Sequence, residues 1–195
     1  MIAAIGLVIL AQLASAGHEA TPLERLRAKV PVEAVASVPP AQFAGRYTTT
    51  SEELGKLTGP FMGGEDLYLF PDGSYIYCEW SDNAPLTIYD KGTWKLGRGL
   101  VELKSDPKVT WNPEIERQYM AVRRKSSNKE ILLVGTKEDL RRFEKNAGDN
   151  PGFMLLVIAR KRESLFTSES AASVKARLLR EAWRPAFFEE KEKEK

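Results

Sequence analysis

The chain has 195 residues, of which 29% are charged and 43% apolar, with a formal net charge of +2; that balance excludes a disordered chain and a membrane-embedded one. One cysteine and one histidine exclude an internal disulfide framework, a His-based catalytic triad and a His/Cys metal centre. The charge is uneven, with eight acidic and two basic residues over 43–90 against sixteen basic and eight acidic over 117–188, which describes a dipolar surface rather than a nucleic-acid-binding one.

Residues 2–13 form an apolar run broken only by Gly6 and Gln12, and it ends in Ala14-Ser15-Ala16. The run is shorter than the roughly 20 apolar residues a bilayer span needs, and the small-x-small ending is what signal peptidase cleaves. Residues 1–16 therefore read as a signal peptide cleaved near Ala16, with export to the periplasm or the medium. No cysteine follows the run, so no lipoprotein anchor is expected.

Residues 17–42 read as an N-terminal helix and a proline-rich linker. Thr21-Pro22-Leu23-Glu24 is a capping box with proline at the first helical position, and Leu23, Leu26 and Val30 share one face. Pro31 stops the helix, and Val38-Pro39-Pro40 continues as extended chain.

From residue 43 the pattern changes to short strands, and 43–162 reads as one β-barrel domain. Strands are expected at 45–50, 67–70 and 74–80, the last two joined by the hairpin turn Pro71-Asp72-Gly73. Residues 86–89 and 93–96 read as strands, or as one strand bulged at Gly92, and Gly97-Arg98-Gly99 turns the chain into 100–104. After a loop containing Trp111, strands are expected at 116–124 and 131–135, separated by the turn 126–129. A helix follows over 138–146, with Leu140 and Phe143 on one face, Thr136 as its cap and Gly148 as its stop. Residues 153–160 are apolar on both faces and read as a last strand covered on both sides. A helix over 170–183, within the C-terminal helical segment 163–188, packs on the barrel, and 189–195 is a charged tail. The fold class is thus mainly β, an antiparallel barrel or curved sheet of about seven or eight strands with one short internal helix and a C-terminal helix.

Catalytic patterns are weak. Glu52-Glu53 and Glu65-Asp66 are carboxylate neighbours, but neighbours on a strand point to opposite faces. Two Ser-x-x-Lys matches, at Ser105 and Ser126, fall in turns rather than on a helix. Cys78 is expected to be buried. The aromatic side chains carry the stronger signal: Tyr68, Tyr75, Tyr77, Tyr89 and Trp94 cluster in three consecutive strands, and period-two alternation places Tyr75 and Tyr77 on one face.

Gly45-Arg46-Tyr47, the stretch from Leu67 through Pro71-Asp72-Gly73 to Tyr75, and Gly92-Thr93-Trp94 together resemble a lipocalin-type, calycin-like small barrel over about residues 43–104. The resemblance implies a barrel able to hold a small apolar ligand. The leading expectation is an exported, non-enzymatic binding protein without cofactor or metal, its ligand contacted by Tyr68, Tyr75, Tyr77, Tyr89 and Trp94. The alternative is an interaction module with a filled barrel, meeting an envelope protein or an anionic surface through Arg123, Arg124, Lys125, Phe187 and Phe188. A carboxylate hydrolase using Glu52, Glu65 or Asp66 ranks third.

Overall fold

The computed structural model describes residues 19–35, 38–107, 116–125 and 130–182. In chain order the elements are α1 (Pro22–Arg27), β1 (Val32–Ala34), α2 (Pro40–Phe43), β2 (Gly45–Thr48), α3 (Glu52–Thr58), β3 (Gly63–Leu69), β4 (Ser74–Ser81) and β5 (Ala84–Gly97). Then follow β6 (Leu100–Ser105), β7 (Gln118–Arg124), β8 (Leu132–Gly135), α4 (Glu138–Asn146), α5 (Pro151–Ile158), β9 (Arg160–Leu165) and α6 (Ser168–Glu181).

From β2 to β9 each strand pairs antiparallel with the next in sequence, and β9 returns to pair with β2. Eight strands therefore close a barrel, which removes the free edges an open sheet would expose. The short β1 continues the edge of β7 beyond β6, setting Val32 opposite Arg124 and Ala34 opposite Val122.

Local chemistry accounts for the turns. Between β3 and β4 the Ser74 amide and hydroxyl both donate to Asp72 Oδ1, and Gly73 takes φ +80°. Between β5 and β6 two consecutive positive φ values, Arg98 at 52° and Gly99 at 78°, make the tight turn whose twist matches paired strands. The irregularity expected at Gly92 lies two to three residues earlier: pairing slips between Tyr77–Asp90 and Cys78–Ile88, leaving Tyr89 as the extra residue. Gly92 itself pairs regularly with Tyr75 and Ser105, and a Cβ there would strike the Lys104 carbonyl.

Inside the barrel, Tyr47, Leu67, Leu69, Tyr75, Tyr77, Trp94, Val101, Leu103, Tyr119 and Leu133 form one apolar cluster, joined by Phe43 of α2. Outside, two helical layers cover it. Leu26, Leu140, Phe143, Leu155 and Ile158 of α1, α4 and α5 pack on Met120, Val122, Leu132 and Val134. Helix α6 brings Ala171 and Leu178 onto Tyr68, Phe70, Ile76, Cys78 and Ile88. Cys78 is fully buried there.

Several expectations need correction. Residues 151–158 form helix α5, not a strand: Asn150 caps it by accepting from the Phe153 amide at 3.1 Å, and Pro151 occupies its first turn. The last strand is β9, which starts at Arg160. The 138–146 helix is present with these bounds, but Thr136 is not its cap; the carboxylate of Glu116 receives the Thr136, Lys137 and Glu138 amides instead. The stretch read as linker holds β1 and the single turn α2, and 52–58 is a helix capped by Ser51. The segment read as a signal peptide, the Trp111 loop and the 126–129 turn lie outside the described residues. Among the described residues no helix is long and apolar enough to cross a membrane.

Candidate functional site

Two polar networks occupy the barrel end where β4 and β6 finish and β7 begins. The first surrounds Asp90, which is 0% exposed and which the β5 bulge turns inward. Its Oδ2 accepts from the Tyr75 hydroxyl, the Ser105 hydroxyl and Arg117 Nη1, each at 2.6 Å, and Oδ1 accepts from the Lys91 amide at 2.9 Å. Arg117 also donates to Ser105. A buried carboxylate with this many donors is satisfied, so the network braces the strands and ties up the Tyr75 hydroxyl.

The second network is built differently. Glu65 of β3 and Glu79 of β4 stand directly opposite each other in the antiparallel pair, and both line the same cavity. Like charges in that position repel. Arg160, the first residue of β9, binds Glu65 through Nη2 and approaches Asp139 Oδ2 through Nη1 at 3.5 Å. Asp139 Oδ2 also accepts from the Gly135 amide at 2.8 Å. Glu79 receives one hydrogen bond, from the Tyr77 hydroxyl at 3.1 Å, and has no ion-pair partner among the described residues. The Arg160 guanidinium stacks 5.0 Å from the Tyr119 ring centre.

Two buried polar atoms here have no hydrogen-bond partner among the described residues, the Tyr119 hydroxyl and Arg160 Nε. Tyr119 is 0% exposed, and its hydroxyl lies in the field of Arg160, Asp139, Glu65 and Glu116. A cavity of about 220 Å³ is lined by the carboxylates of Glu65, Glu79, Glu116, Glu138 and Asp139, the guanidinium groups of Arg142 and Arg160, Thr49 and Tyr77, with Val157 and Ile158 of α5 on one side. Burial, and then the charge of Glu65, raise the Glu79 carboxyl above its ordinary range. Burial also raises Asp139, against the pull of Arg160, and moves the Tyr119 hydroxyl up to about 12.

The aromatic residues singled out in the sequence divide. Tyr75, Tyr77 and Trp94 are buried in the barrel interior, with Tyr89 half-buried against them. Trp94 Nε1 donates to the Phe70 carbonyl at 2.9 Å and the ring packs 5.9 Å from that of Phe43. Tyr68 is apart from this group. It faces outward beneath α6, stacked on Phe166 with ring centres 6.3 Å apart.

The basic surface residues also divide. Arg124 is held by Glu53 at 2.8 Å and Glu130 at 2.6 Å, beside Lys161, so it braces α3 against the barrel wall. Arg123 is half-buried opposite Glu33, and Lys125 is exposed. Phe187 and Phe188 lie outside the described residues. Of the three carboxylates considered for hydrolysis only Glu65 lines the cavity; Glu52 pairs with Lys56 on α3 and Asp66 turns outward to Arg46. Among the described residues no group of three or more ligating side chains is placed to hold a metal ion.

Glu79, Tyr119, Asp139 and Arg160 were not singled out from sequence. For Glu79 a signal exists: counting outward from the Asp72-Gly73 turn sets Leu69 opposite Tyr75 and hence Glu65 opposite Glu79. Asp139 and Arg160 arrive from distant segments, and no local pattern announces them. Comparison with protein-family models, with curated proteins and with solved structures finds no match.

Proposed function

We propose that this chain is a non-enzymatic binding protein whose ligand sits in the polar mouth of the barrel rather than in an apolar lumen. The carrying observation is how the space is used. Side chains of Tyr47, Leu67, Tyr75 and Tyr119 occupy the lumen, while the 220 Å³ cavity at the mouth is lined by carboxylates, Tyr77 and the two arginines Arg142 and Arg160. A water takes about 30 Å³, so the cavity suits a ligand the size of roughly seven waters. A small polar ligand is proposed in place of the small apolar one expected from the aromatic cluster.

The lipocalin-type likeness supports a binding barrel. Tyr47 of Gly45-Arg46-Tyr47 is fully buried and donates to the Phe43 carbonyl at 2.6 Å, while Arg162 of β9 donates to the neighbouring Gln42 carbonyl at 2.9 Å. Export rests on residues 1–16 alone.

Native mass spectrometry of the chain purified gently from its host tests the reading. A small polar adduct is expected, released on denaturation and lost from the Glu65→Gln variant. An apolar adduct released instead by Tyr75→Ala would return the site to the lumen. A bare mass, together with partner association abolished by deleting residues 185–195, would favour the interaction module.

A further inference from the structure

A second concave site lies on the outer wall of the barrel and shares no lining residue with the mouth cavity. There the coat formed by α1 and α4 stops short, leaving a cavity of about 520 Å³ over β6 and β7. Its floor is apolar, made by Leu23 of α1, Ala34 of β1, Leu100 of β6 and Met120 of β7. Leu23 and Leu100 are half-buried, at the margin of the core cluster that holds Met120. Two exposed cations stand at its edge, Arg98 in the β5–β6 turn and Lys137 just before α4. Neither has an ion-pair partner among the described residues, and no acidic residue lines the cavity.

The carboxylates around it are engaged elsewhere. Glu24 accepts from the Thr21 amide and hydroxyl, and Glu116 from the Thr136, Lys137 and Glu138 amides. Glu138 pairs with Arg141, and Glu102, opposite Gln118, pairs with Lys95. Strand alternation turns Glu33 to the face opposite Ala34.

We propose that this outer cavity binds an amphipathic carboxylate, a medium-chain fatty acid, with its chain on Leu23, Leu100 and Met120 and its carboxylate at Arg98 and Lys137. The site is additional to the mouth and does not rest on the reading above.

Charge and surface choose the class together. An inorganic anion would gain only exposed ion pairs, which are worth little in water. A neutral apolar molecule would use the floor and leave both cations idle, and a cationic one would meet two like charges. A carboxylate on an apolar chain uses both features, with the guanidinium offering a two-pronged donor. The volume lies within the roughly 300–1,000 Å³ of small-molecule pockets.

Isothermal calorimetry on the chain purified from its host, at neutral pH and low salt, provides the test. Octanoate is the probe, with octylammonium and octanol as controls of equal chain length. Saturable octanoate binding is expected, at least tenfold tighter than either control, with a shift of the Met120 methyl signal in methionine-labelled spectra. The double variant Arg98→Asn, Lys137→Gln is expected to bind octanoate at least fivefold more weakly. It is expected to fold, because Asn-Gly suits a turn with two positive φ values and Lys137 is exposed. Glu65→Gln at the mouth is expected to leave octanoate binding unchanged. Equal binding by wild type and the double variant overturns the inference, as does octanol binding as tight as octanoate. Octanoate binding lost in Glu65→Gln, or without a Met120 shift, also overturns it by placing the ligand elsewhere. No octanoate binding overturns it and leaves the cavity to a covering segment of this chain, residues 1–18 being those that lead into Thr21.

Discussion

Glu79 shows how one side chain is set by its partners across a strand. Its carboxyl is raised by burial first and by Glu65 second, with Tyr77 and Arg160 working the other way. A carboxyl whose folded value lies above its unfolded one contributes stability that is fully present below about 4.5 and is lost as pH rises through the folded value. The wild type is therefore expected to lose stability relative to Glu79→Gln as pH rises from 4 to 7. Urea midpoints of the two proteins across that range measure it, and a flat difference would show that the fold does not raise the Glu79 carboxyl. The hairpin turn makes the Glu65–Glu79 pair legible in the sequence, because register follows from counting away from Asp72-Gly73. Arg160, Asp139 and Tyr119 were not legible at all, since their meeting depends on how β7, α4 and β9 pack.

Among elements, α5 teaches the most. Its residues are apolar on every side, so periodicity could not separate a buried helix from a doubly covered strand. The deciding signal was at its start: Asn150 followed by Pro151 is a helix N-terminus, an acceptor for the Phe153 amide followed by a residue with no amide to satisfy. Asn150→Ala is expected to cost about 1 kcal/mol, seen as a lower denaturant midpoint at unchanged slope. A neutral result would mean that Leu155, Leu156 and Ile158, all buried, hold the helix without its cap. Helix α1 is the contrasting case. Thr21 and Glu24 form both halves of the capping box, so its position could be read residue by residue.

At the scale of the molecule, closure gives the barrel two separate coats. Helices α1, α4 and α5 cover β7 and β8, and α6 covers β3 to β5, where Cys78 has no solvent exposure and burial raises its thiol. Cys78 should then report global unfolding. Alkylation in native buffer is expected to be at least about a thousandfold slower than in denaturant, as a domain of several kcal/mol stability requires. Fast native labelling would show that α6 detaches locally.

The sequence by itself determined the alternation that sets Tyr75 and Tyr77 on one face of β4, the turns at Pro71-Asp72-Gly73 and Gly97-Arg98-Gly99, that Cys78 is buried and that α1, α4 and α6 are helices. These are local matters, governed by periods of two and 3.6 residues and by a few capping and turn side chains. Only the tertiary structure decided that β9 returns to β2, with Gly45 opposite Leu165, and so closes the ring. It also decided that aromatic side chains fill the lumen and that Glu65, Glu79, Asp139, Arg160 and Tyr119 gather at one end. Pairings between distant segments arise from the collective packing of all eight strands and their helices, and no stretch of sequence carries that information alone.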